Sequence, residues 1–149
     1  MKIIRRYLPS TLSKRDKTRQ RKMILTSRRL YRRGKYYTRK SVKSFSSKPS
    51  KHVSSAKEMY HVDKISASRD LSKATGCSVK GLREIIRKGE GAYYSSGSRP
   101  NQTPQSWGNA RLASAITGGN ASRVDYSILD KECNHRSPAF RLAQKPKML

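Results

Sequence analysis

The sequence predicts a mainly α-helical fold: a small bundle of short helices with a long basic N-terminal extension. No stretch alternates apolar and polar residues with the period of two that is typical of β-strands. Apolar residues recur instead at helical spacing, between serines or threonines that can cap a helix and glycines that can end one. Leu, Ile, Val and Phe account for only 25 of 149 residues, so we expect only part of the chain to pack by itself.

The first predicted helix lies in the N-terminal third of the chain. Ser13 can act as its N-cap, with the acid Asp16 three positions on in a variant of the capping box. Gly34 is placed to end the helix as a left-handed residue. The narrow apolar stripe of this helix consists of Gln20, Met23, Ile24, Ser27, Leu30 and Tyr31. Because the surrounding cations repel one another at i,i+4, we expect a weak helix until acids or phosphates neutralise them.

Further short helices are predicted between residues 50 and 149. Their expected starts are Ser50, Ser68, Ser78, Thr103 and Ser137. The last two precede Pro104 and Pro138, at a position where the missing N–H of proline costs nothing. The expected helix ends are Gly76, Gly89 and Gly118-Gly119. The glycine-rich stretch from Gly89 to Pro100 is expected to be a loop that lays Tyr93 and Tyr94 against the core.

Charge divides the chain near residue 49. Residues 1–49 hold 18 basic side chains and one acid, Asp16, whereas residues 50–149 hold 17 basic and 8 acidic side chains. The sequence therefore predicts two domains: a basic N-terminal arm with one helix over 1–49, and a compact helical domain over 50–149. A polar, serine-rich linker from Ser44 to Ser50 joins them, and the arm is expected to be partly disordered in the free protein.

The net charge of +26 predicts a protein that collects polyanions or acidic surfaces. Tyrosines and arginines alternate in the arm, which fits stacking on single-stranded bases and fits equally well an arm laid along an acidic protein groove. The candidate binding residues of the arm are Arg15, Arg19, Arg28, Arg29, Arg32, Arg33, Tyr36, Tyr37, Arg39 and Lys40.

The stretch from Leu71 to Gly89 has the spacing of a helix-turn-helix. Gly76 falls at the turn, and the expected interior positions are Leu71, Thr75, Cys77, Leu82 and Ile85. In such a module the second helix would expose Lys80, Arg83, Arg87 and Lys88 to phosphates or base edges. Any two short helices joined by a glycine turn share this pattern, so DNA reading is an alternative and not the first expectation.

Catalysis and cofactor binding have little support in the sequence. Residues 89–100 lack the GxxxxGK[ST] pattern of a phosphate-binding loop. The three histidines are dispersed along the chain: His52, His61 and His135. The three acids that lie closest together in the sequence would not share one face of a helix: Asp125, Asp130 and Glu132. We therefore expect a protein that is not an enzyme, with no cofactor, no metal and no small-molecule substrate.

The cysteines and the N-terminus bear on the compartment. Cys77 and Cys133 form no CxxC pair and have no histidine at ligand spacing, which favours buried free thiols over a disulfide or a zinc site. Met1 to Arg6 contain no signal-peptide core, and no run approaches 18 apolar residues. We expect synthesis in the cytoplasm and no membrane span.

Five strings carry a resemblance: residues 36–39 (YYTR), 75–79 (TGCSV), 99–103 (RPNQT), 105–108 (QSWG) and 110–119 (ARLASAITGG). Together they resemble a domain of unknown function that is associated with large DNA viruses of algae and amoebae, the chlorovirus and mimivirus relatives. The likeness covers roughly residues 7–145. The resemblance implies a small basic protein of an icosahedral virus particle, and it brings no catalytic or binding residues. Pro104 departs from the pattern, where a small residue is expected.

From composition and resemblance we expect a virion structural protein, a minor capsid protein that cements the shell through its basic arm. Its expected partners are major and minor capsid proteins, with non-specific contact to genomic DNA at the inner face of the capsid. A chain poor in core residues but rich in Arg and Tyr suits folding on assembly. The alternative is a DNA-binding packaging or regulatory protein that uses the arm and the helix-turn-helix-like element.

Overall fold

The computed structural model describes residues 2–144, which form eight α-helices preceded by a short 3₁₀ helix at Arg5–Tyr7. The α-helices are α1 Lys14–Arg32, α2 Lys51–Tyr60, α3 Arg69–Thr75, α4 Val79–Ser95, α5 Pro104–Ile116, α6 Asn120–Val124, α7 Tyr126–Glu132 and α8 Pro138–Gln144. No β-strand occurs in these residues, and the extended backbone pairs at one isolated bridge between Cys77 and Cys133. The predicted mainly α-helical class is confirmed.

The chain divides into two compact units. Unit 1 comprises Met1–Lys48 and Glu90–Trp107, and unit 2 comprises Pro49–Gly89 and Gly108–Leu149. One division lies beside the predicted boundary at residue 49. Residues 90–107, however, group with the N-terminal residues and not with the rest of the C-terminal region. The long basic extension is therefore not confirmed, because residues 2–48 pack with 90–107 inside unit 1.

All six predicted helix starts are capped as the sequence indicates. The Ser13 Oγ accepts from the Asp16 amide at 3.1 Å, and the Ser68 Oγ accepts from the Leu71 amide at 3.2 Å. Ser50, Ser78, Thr103 and Ser137 make equivalent hydrogen bonds. Each bond satisfies one amide that has no partner within its own helix. The helix ends at Gly34 and Gly76 also follow the prediction, with φ of 76° and 78°.

The predicted loop from Gly89 to Pro100 is wrong over its first half, because α4 continues to Ser95. Gly89 does not end the helix; it allows α4 to approach α5. A Cβ atom placed on Gly89 would lie 2.6 Å from the Gly108 Cα, closer than side-chain carbons pack. The chain turns away only after Ser95, where Gly97 has a φ of 138°. Tyr93 lies on this extension of α4 and is completely buried.

Unit 2 contains a continuous apolar core. It is formed by 17 buried residues from six helices and the segments between them, among them Leu71, Leu82, Leu112, Leu129 and Phe140. The predicted interior positions of the helix-turn-helix-like element are all buried. Thr75, a polar member, donates its hydroxyl to the Leu71 carbonyl at 2.8 Å and accepts from the Cys77 amide at 3.2 Å.

Cys77 and Cys133 form a disulfide, which corrects the prediction of free thiols. They are buried, as expected. The turn after α3 and the end of α7 are held together by two backbone hydrogen bonds of 2.8 Å, from the Asn134 amide to the Gly76 carbonyl and from the Ser78 amide to the Glu132 carbonyl. A separation of 56 residues hid this pairing from local sequence patterns.

A buried ion pair stabilises the α6–α7 junction of unit 2. Asp125 is completely buried and accepts two hydrogen bonds of 2.8 Å from the Arg111 guanidinium. This pairing raises the pKa of Arg111. The Lys88 Nζ lies 3.7 Å from the same carboxylate. Asp125 is thus both the C-cap residue of α6 and a salt-bridge partner.

Candidate functional site

The helix α1 buries a mainly neutral face, so most of its cations point outward. Gln20, Met23, Ile24 and Ser27 form the buried face. The Gln20 side-chain amide donates to the Tyr7 and Ser98 carbonyls at 3.4 Å each, which satisfies polar groups inside unit 1. Since 9 of the 19 residues of α1 are Lys or Arg, this arrangement produces a densely charged outer surface.

The start of α1 is attached to the segment that follows it in unit 1. The Asp16 carboxylate accepts from the Ser44 amide at 2.9 Å and from the Ser44 hydroxyl at 2.6 Å. The Ser13 amide in turn donates to the Ser44 Oγ at 3.0 Å. The hydrogen bonds from Ser44 hold the pKa of Asp16 below its usual value. The single acid of residues 1–49 therefore has a structural role and does not neutralise the basic surface.

Unit 1 contains 19 basic side chains against two acids, Asp16 and Glu90. Of the 19, 17 are exposed, and none of the described cations of unit 1 forms an ion pair. We call these 17 the unit 1 basic surface: Lys2, Arg5, Arg6, Lys14, Arg15, Lys17, Arg19, Arg21, Lys22, Arg29, Arg32, Arg33, Lys35, Lys40, Lys43, Lys48 and Arg99. Such a surface attracts anions because its charge is not neutralised internally.

Arg39 is the buried exception among the predicted binding residues, with 6% of its surface exposed. Its guanidinium donates to the Ser27 hydroxyl and the Tyr93 carbonyl, both at 2.9 Å, and to the Ser98 hydroxyl at 2.8 Å. It also lies 3.7 Å from the centroid of the Tyr93 ring. Burial lowers the pKa of Arg39. Arg39 is therefore a structural residue of unit 1, which corrects its assignment to a binding surface.

Two other predicted binding residues are partly engaged within unit 1. Tyr37 packs against the small apolar cluster of Leu12, Met23 and Val42. The Arg28 side chain is half-buried and donates from Nε to the Ser96 carbonyl at 2.8 Å. The remaining arm candidates are exposed on the unit 1 basic surface, apart from Tyr36, which belongs to an aromatic cluster.

Three tyrosines from distant parts of the sequence meet in unit 1, and we call them the tyrosine cluster: Tyr31, Tyr36 and Tyr94. The rings of Tyr31 and Tyr94 stack at 5.9 Å with an interplanar angle of 10°. The Tyr36 ring lies 5.1 Å from Tyr94 and 6.1 Å from Tyr31. Sequence reasoning placed Tyr31 in an apolar stripe and Tyr94 against the core; the signal that was available was the density of tyrosine near residues 31–37 and 93–94.

An open cleft of about 330 Å³ lies beside the tyrosine cluster. It is lined by Arg28, Tyr31, Arg32, Ser95 and Ser96. The lining contains two guanidinium groups, two serine hydroxyls, one aromatic ring and no acid. The cleft can therefore accept an anionic group next to a planar apolar one.

The cations of the helix-turn-helix-like element belong to unit 2. Lys80, Arg83, Arg87 and Lys88 are exposed on α4, as predicted. Unlike the unit 1 basic surface, they share unit 2 with seven acids, and Lys88 has a carboxylate within 4 Å. The candidate residues therefore fall into two groups that belong to different units, ten in unit 1 and four in unit 2.

Within residues 2–144, no helix combines the length and apolar content that a membrane crossing requires. In the same residues, no three His, Cys, Asp or Glu side chains lie together as a metal ion would need.

Comparison with known proteins gives a family but no activity. No curated protein and no solved structure shows significant similarity to the chain. The profile of one family of unknown function, DUF5824, matches residues 5–134. That range includes the whole unit 1 basic surface except Lys2, the tyrosine cluster, and the disulfide. Because the match covers most of its length, the chain belongs to the DUF5824 family of unknown function.

Proposed function

We propose that this protein binds nucleic acid through the unit 1 basic surface, by contacts to the phosphate backbone and without sequence preference. The observation that carries the proposal is the set of 17 exposed cations with no ion pair among the described residues of unit 1. Binding a polyanion releases the counterions condensed on it, and this term supplies nearly all of the affinity of non-specific binders.

The shape of α1 supports this role. The helix has 19 residues and is therefore about 28 Å long, with cations along its outer side from Lys14 to Arg32. Successive phosphates of one DNA strand are about 3.4 Å apart along the axis, so such a helix can contact several of them. Arg29 and Arg32 in the last turn also interact favourably with the negative end of the helix dipole.

The setting that we propose is a virus particle, where the protein would be a virion structural protein at the inner face of the shell. This setting rests on the resemblance to a domain of large DNA viruses. Cementing of major and minor capsid proteins is our second proposal. The observation that favours it is Tyr36, which is 72% exposed and belongs to the same unit as the exposed arginines of α1, since Tyr and Arg dominate protein interfaces. With residues 2–48 packed in unit 1, cementing would use a preformed surface and not an extended arm.

The test compares two variants of equal charge removal. One replaces Arg15, Arg19, Arg29 and Arg33 of unit 1 with Gln, and the other replaces Lys80, Arg83, Arg87 and Lys88 of α4 with Gln. Affinity for a random DNA duplex is measured by fluorescence anisotropy between 50 and 200 mM salt. We expect the unit 1 variant to lose roughly tenfold or more in affinity and the slope of log K against log salt to fall by about 3–4.

The α4 variant should bind within about threefold of the wild type, because non-specific affinity follows the number of phosphate contacts that are lost. A larger loss in the α4 variant, or a site preference of about 4 kcal/mol or more that this variant abolishes, would favour DNA reading by the helix-turn-helix-like element. In purified particles, release of the protein together with the genome supports the first proposal, and retention in the emptied shell supports cementing.

A further inference from the structure

The tyrosine cluster has an unusual exposure for aromatic side chains. Tyr36 is 72% exposed although its ring contacts both Tyr31 and Tyr94. It follows Gly34, whose φ of 76° turns the chain at the end of α1. Most of Tyr36 therefore faces solvent, and this residue contributes little to the buried interior.

The tyrosine cluster packs on a buried residue, Tyr93, through the ring of Tyr94. The Tyr94 ring packs edge-on against Tyr93 at 5.2 Å and 90°, and Tyr93 is completely buried. The Tyr93 hydroxyl accepts from the Arg39 amide at 2.8 Å, and the Arg39 guanidinium lies under the Tyr93 ring. Because each layer is fixed by the next, little ordering of the rings is needed when a ligand binds, which favours affinity.

Two arginines line the same cleft as Tyr31 of the cluster. Arg28 and Arg32 are one helical turn apart on α1, and they line the cleft together with Tyr31. The Arg28 guanidinium is oriented by its hydrogen bond to the Ser96 carbonyl, while Arg32 is exposed. A base placed on the tyrosine cluster would have its own phosphate, or the next one, within reach of these two side chains.

We infer that the tyrosine cluster is a stacking site for unpaired bases and that the preferred ligand of unit 1 is single-stranded nucleic acid. This inference rests on the proposed function and names its substrate class. In a duplex the faces of the bases are covered by their neighbours, so an exposed aromatic surface contributes nothing. On a single strand each stacked base strengthens binding by about 5- to 150-fold, whatever its identity.

The experiment separates stacking from charge. Anisotropy is measured with three labelled probes of about 12 nucleotides at one salt concentration: oligo-dT, an abasic strand with the same phosphates, and a duplex. The wild type should prefer oligo-dT to the abasic strand by at least about fivefold. Tyr36→Ala should remove this preference and leave the affinity for the abasic strand within about twofold. Tyr36→Phe, which keeps the ring, should behave as the wild type. Because Tyr36 is exposed, both variants should fold, and circular dichroism checks this.

Equal affinity of the wild type for oligo-dT and the abasic strand would overturn the inference, as would a Tyr36→Ala variant that keeps the preference or loses affinity for both strands alike. In each of these cases the binding to phosphates, and with it the proposed function, stands. If the wild type binds none of the three probes at about 50 mM salt, the proposed function itself fails, and cementing through Tyr36 becomes the better account.

Discussion

Unit 1 and unit 2 are stabilised by different kinds of contact. Unit 2 has 17 buried apolar residues in one cluster, a disulfide and a buried ion pair. The apolar cluster of unit 1 has three buried members, Leu12, Met23 and Val42, and several of the other buried side chains of this unit are polar. Arg39, Gln20 and Ser27 are all buried there and hydrogen-bonded. The apolar contribution to stability is therefore much larger in unit 2.

The net charges of the two units also favour a higher stability for unit 2. Unit 1 carries +17 and unit 2 carries +9, although unit 1 is the shorter of the two. A unit with a small core and a large self-repulsion has little stability to spare. Such a unit gains most from a bound polyanion, since a ligand that binds only the folded form stabilises it. We therefore predict that unit 2 is stable by itself and that the stability of unit 1 depends on a bound polyanion.

The largest expected effect is the loss of the disulfide in unit 2. The Cys77→Ser/Cys133→Ser variant loses a cross-link that closes a loop with a sequence separation of 56 residues, so its unfolding free energy should fall by about 4 kcal/mol. Urea unfolding of unit 2 measures this. Adding a reductant should lower the unfolding free energy of the wild type by a similar amount. As a control, the reductant should not change the unfolding free energy of the double variant, which has no disulfide. A wild type that is equally stable with and without reductant would show that the core alone stabilises unit 2.

The next effect concerns the buried guanidinium of unit 1. Arg39→Met removes a cation–π contact and three hydrogen bonds, two of them to the Ser27 and Ser98 hydroxyls. Replacing a buried charge with an apolar residue also removes a desolvation cost, which offsets part of the loss. We expect a net loss of about 3 kcal/mol, because hydrogen bonds to charged groups contribute about 1.5–3 kcal/mol each. Hydrogen exchange of the α1 amides measures it, and unchanged protection would contradict the prediction.

A smaller effect appears at high pH. Tyr60 of unit 2 donates its hydroxyl to the Ile116 carbonyl, and burial raises the pKa of Tyr60 to about 12. The unfolded chain ionises near pH 10, so the stabilisation is complete below pH 10 and decreases as the pH rises towards 12. The loss should reach about 2 kcal/mol at pH 12.

Urea unfolding gives the unfolding free energy of the wild type and of Tyr60→Phe at pH 9 and at pH 12. The contribution of Tyr60 is the amount by which the wild type loses more unfolding free energy between these two pH values than Tyr60→Phe does. Absorbance at 295 nm should show one tyrosine with a pKa of about 12 that disappears in Tyr60→Phe. Tyr93, a buried tyrosine of unit 1, can be compared with Tyr60 of unit 2. Burial raises its pKa as well, but the neighbouring Arg39 opposes the rise. If Tyr93→Phe and not Tyr60→Phe removed the highest tyrosine pKa, the interior of unit 1 around Tyr93 would exclude water more completely than the interior of unit 2 around Tyr60.

Local features of the structure follow from the sequence, and distant ones do not. A cap such as Ser13 acts within three residues, and the αL position of Gly34 depends on its own turn, so both were predictable. The excess of positive charge in the N-terminal third could also be read from the sequence, because it depends on composition alone. Gly89 was misread because a glycine that ends a helix and one that allows close helix packing look alike until the neighbour, Gly108, is known.

The candidate site was predictable only in part. The exposed arginines of α1 followed from helical periodicity and charge. The burial of Arg39 depends on Tyr93, which is 54 residues away, and the tyrosine cluster depends on Tyr94 meeting Tyr31 and Tyr36. The Cys77–Cys133 pair has a similar separation. Single-sequence patterns carry no information on such pairings, because each depends on how two segments that are distant in the sequence are placed in space.

The smallest expected effect tests the comparison of the two units most directly. Ser13→Ala and Ser68→Ala each remove one N-cap hydrogen bond, from α1 in unit 1 and from α3 in unit 2, and each should cost about 1 kcal/mol. A polyanion at a concentration of about 100 times its Kd adds about 2.7 kcal/mol to the form that it binds. Hydrogen exchange with oligo-dT at that concentration should therefore show protection of α1 amides in Ser13→Ala above that of the ligand-free wild type. The α3 amides of Ser68→Ala should stay less protected than those of the wild type, because the proposed binding surface belongs to unit 1. Equal gains in both units would mean that they unfold together, and the difference between a self-stable unit and a partner-dependent one would then be wrong.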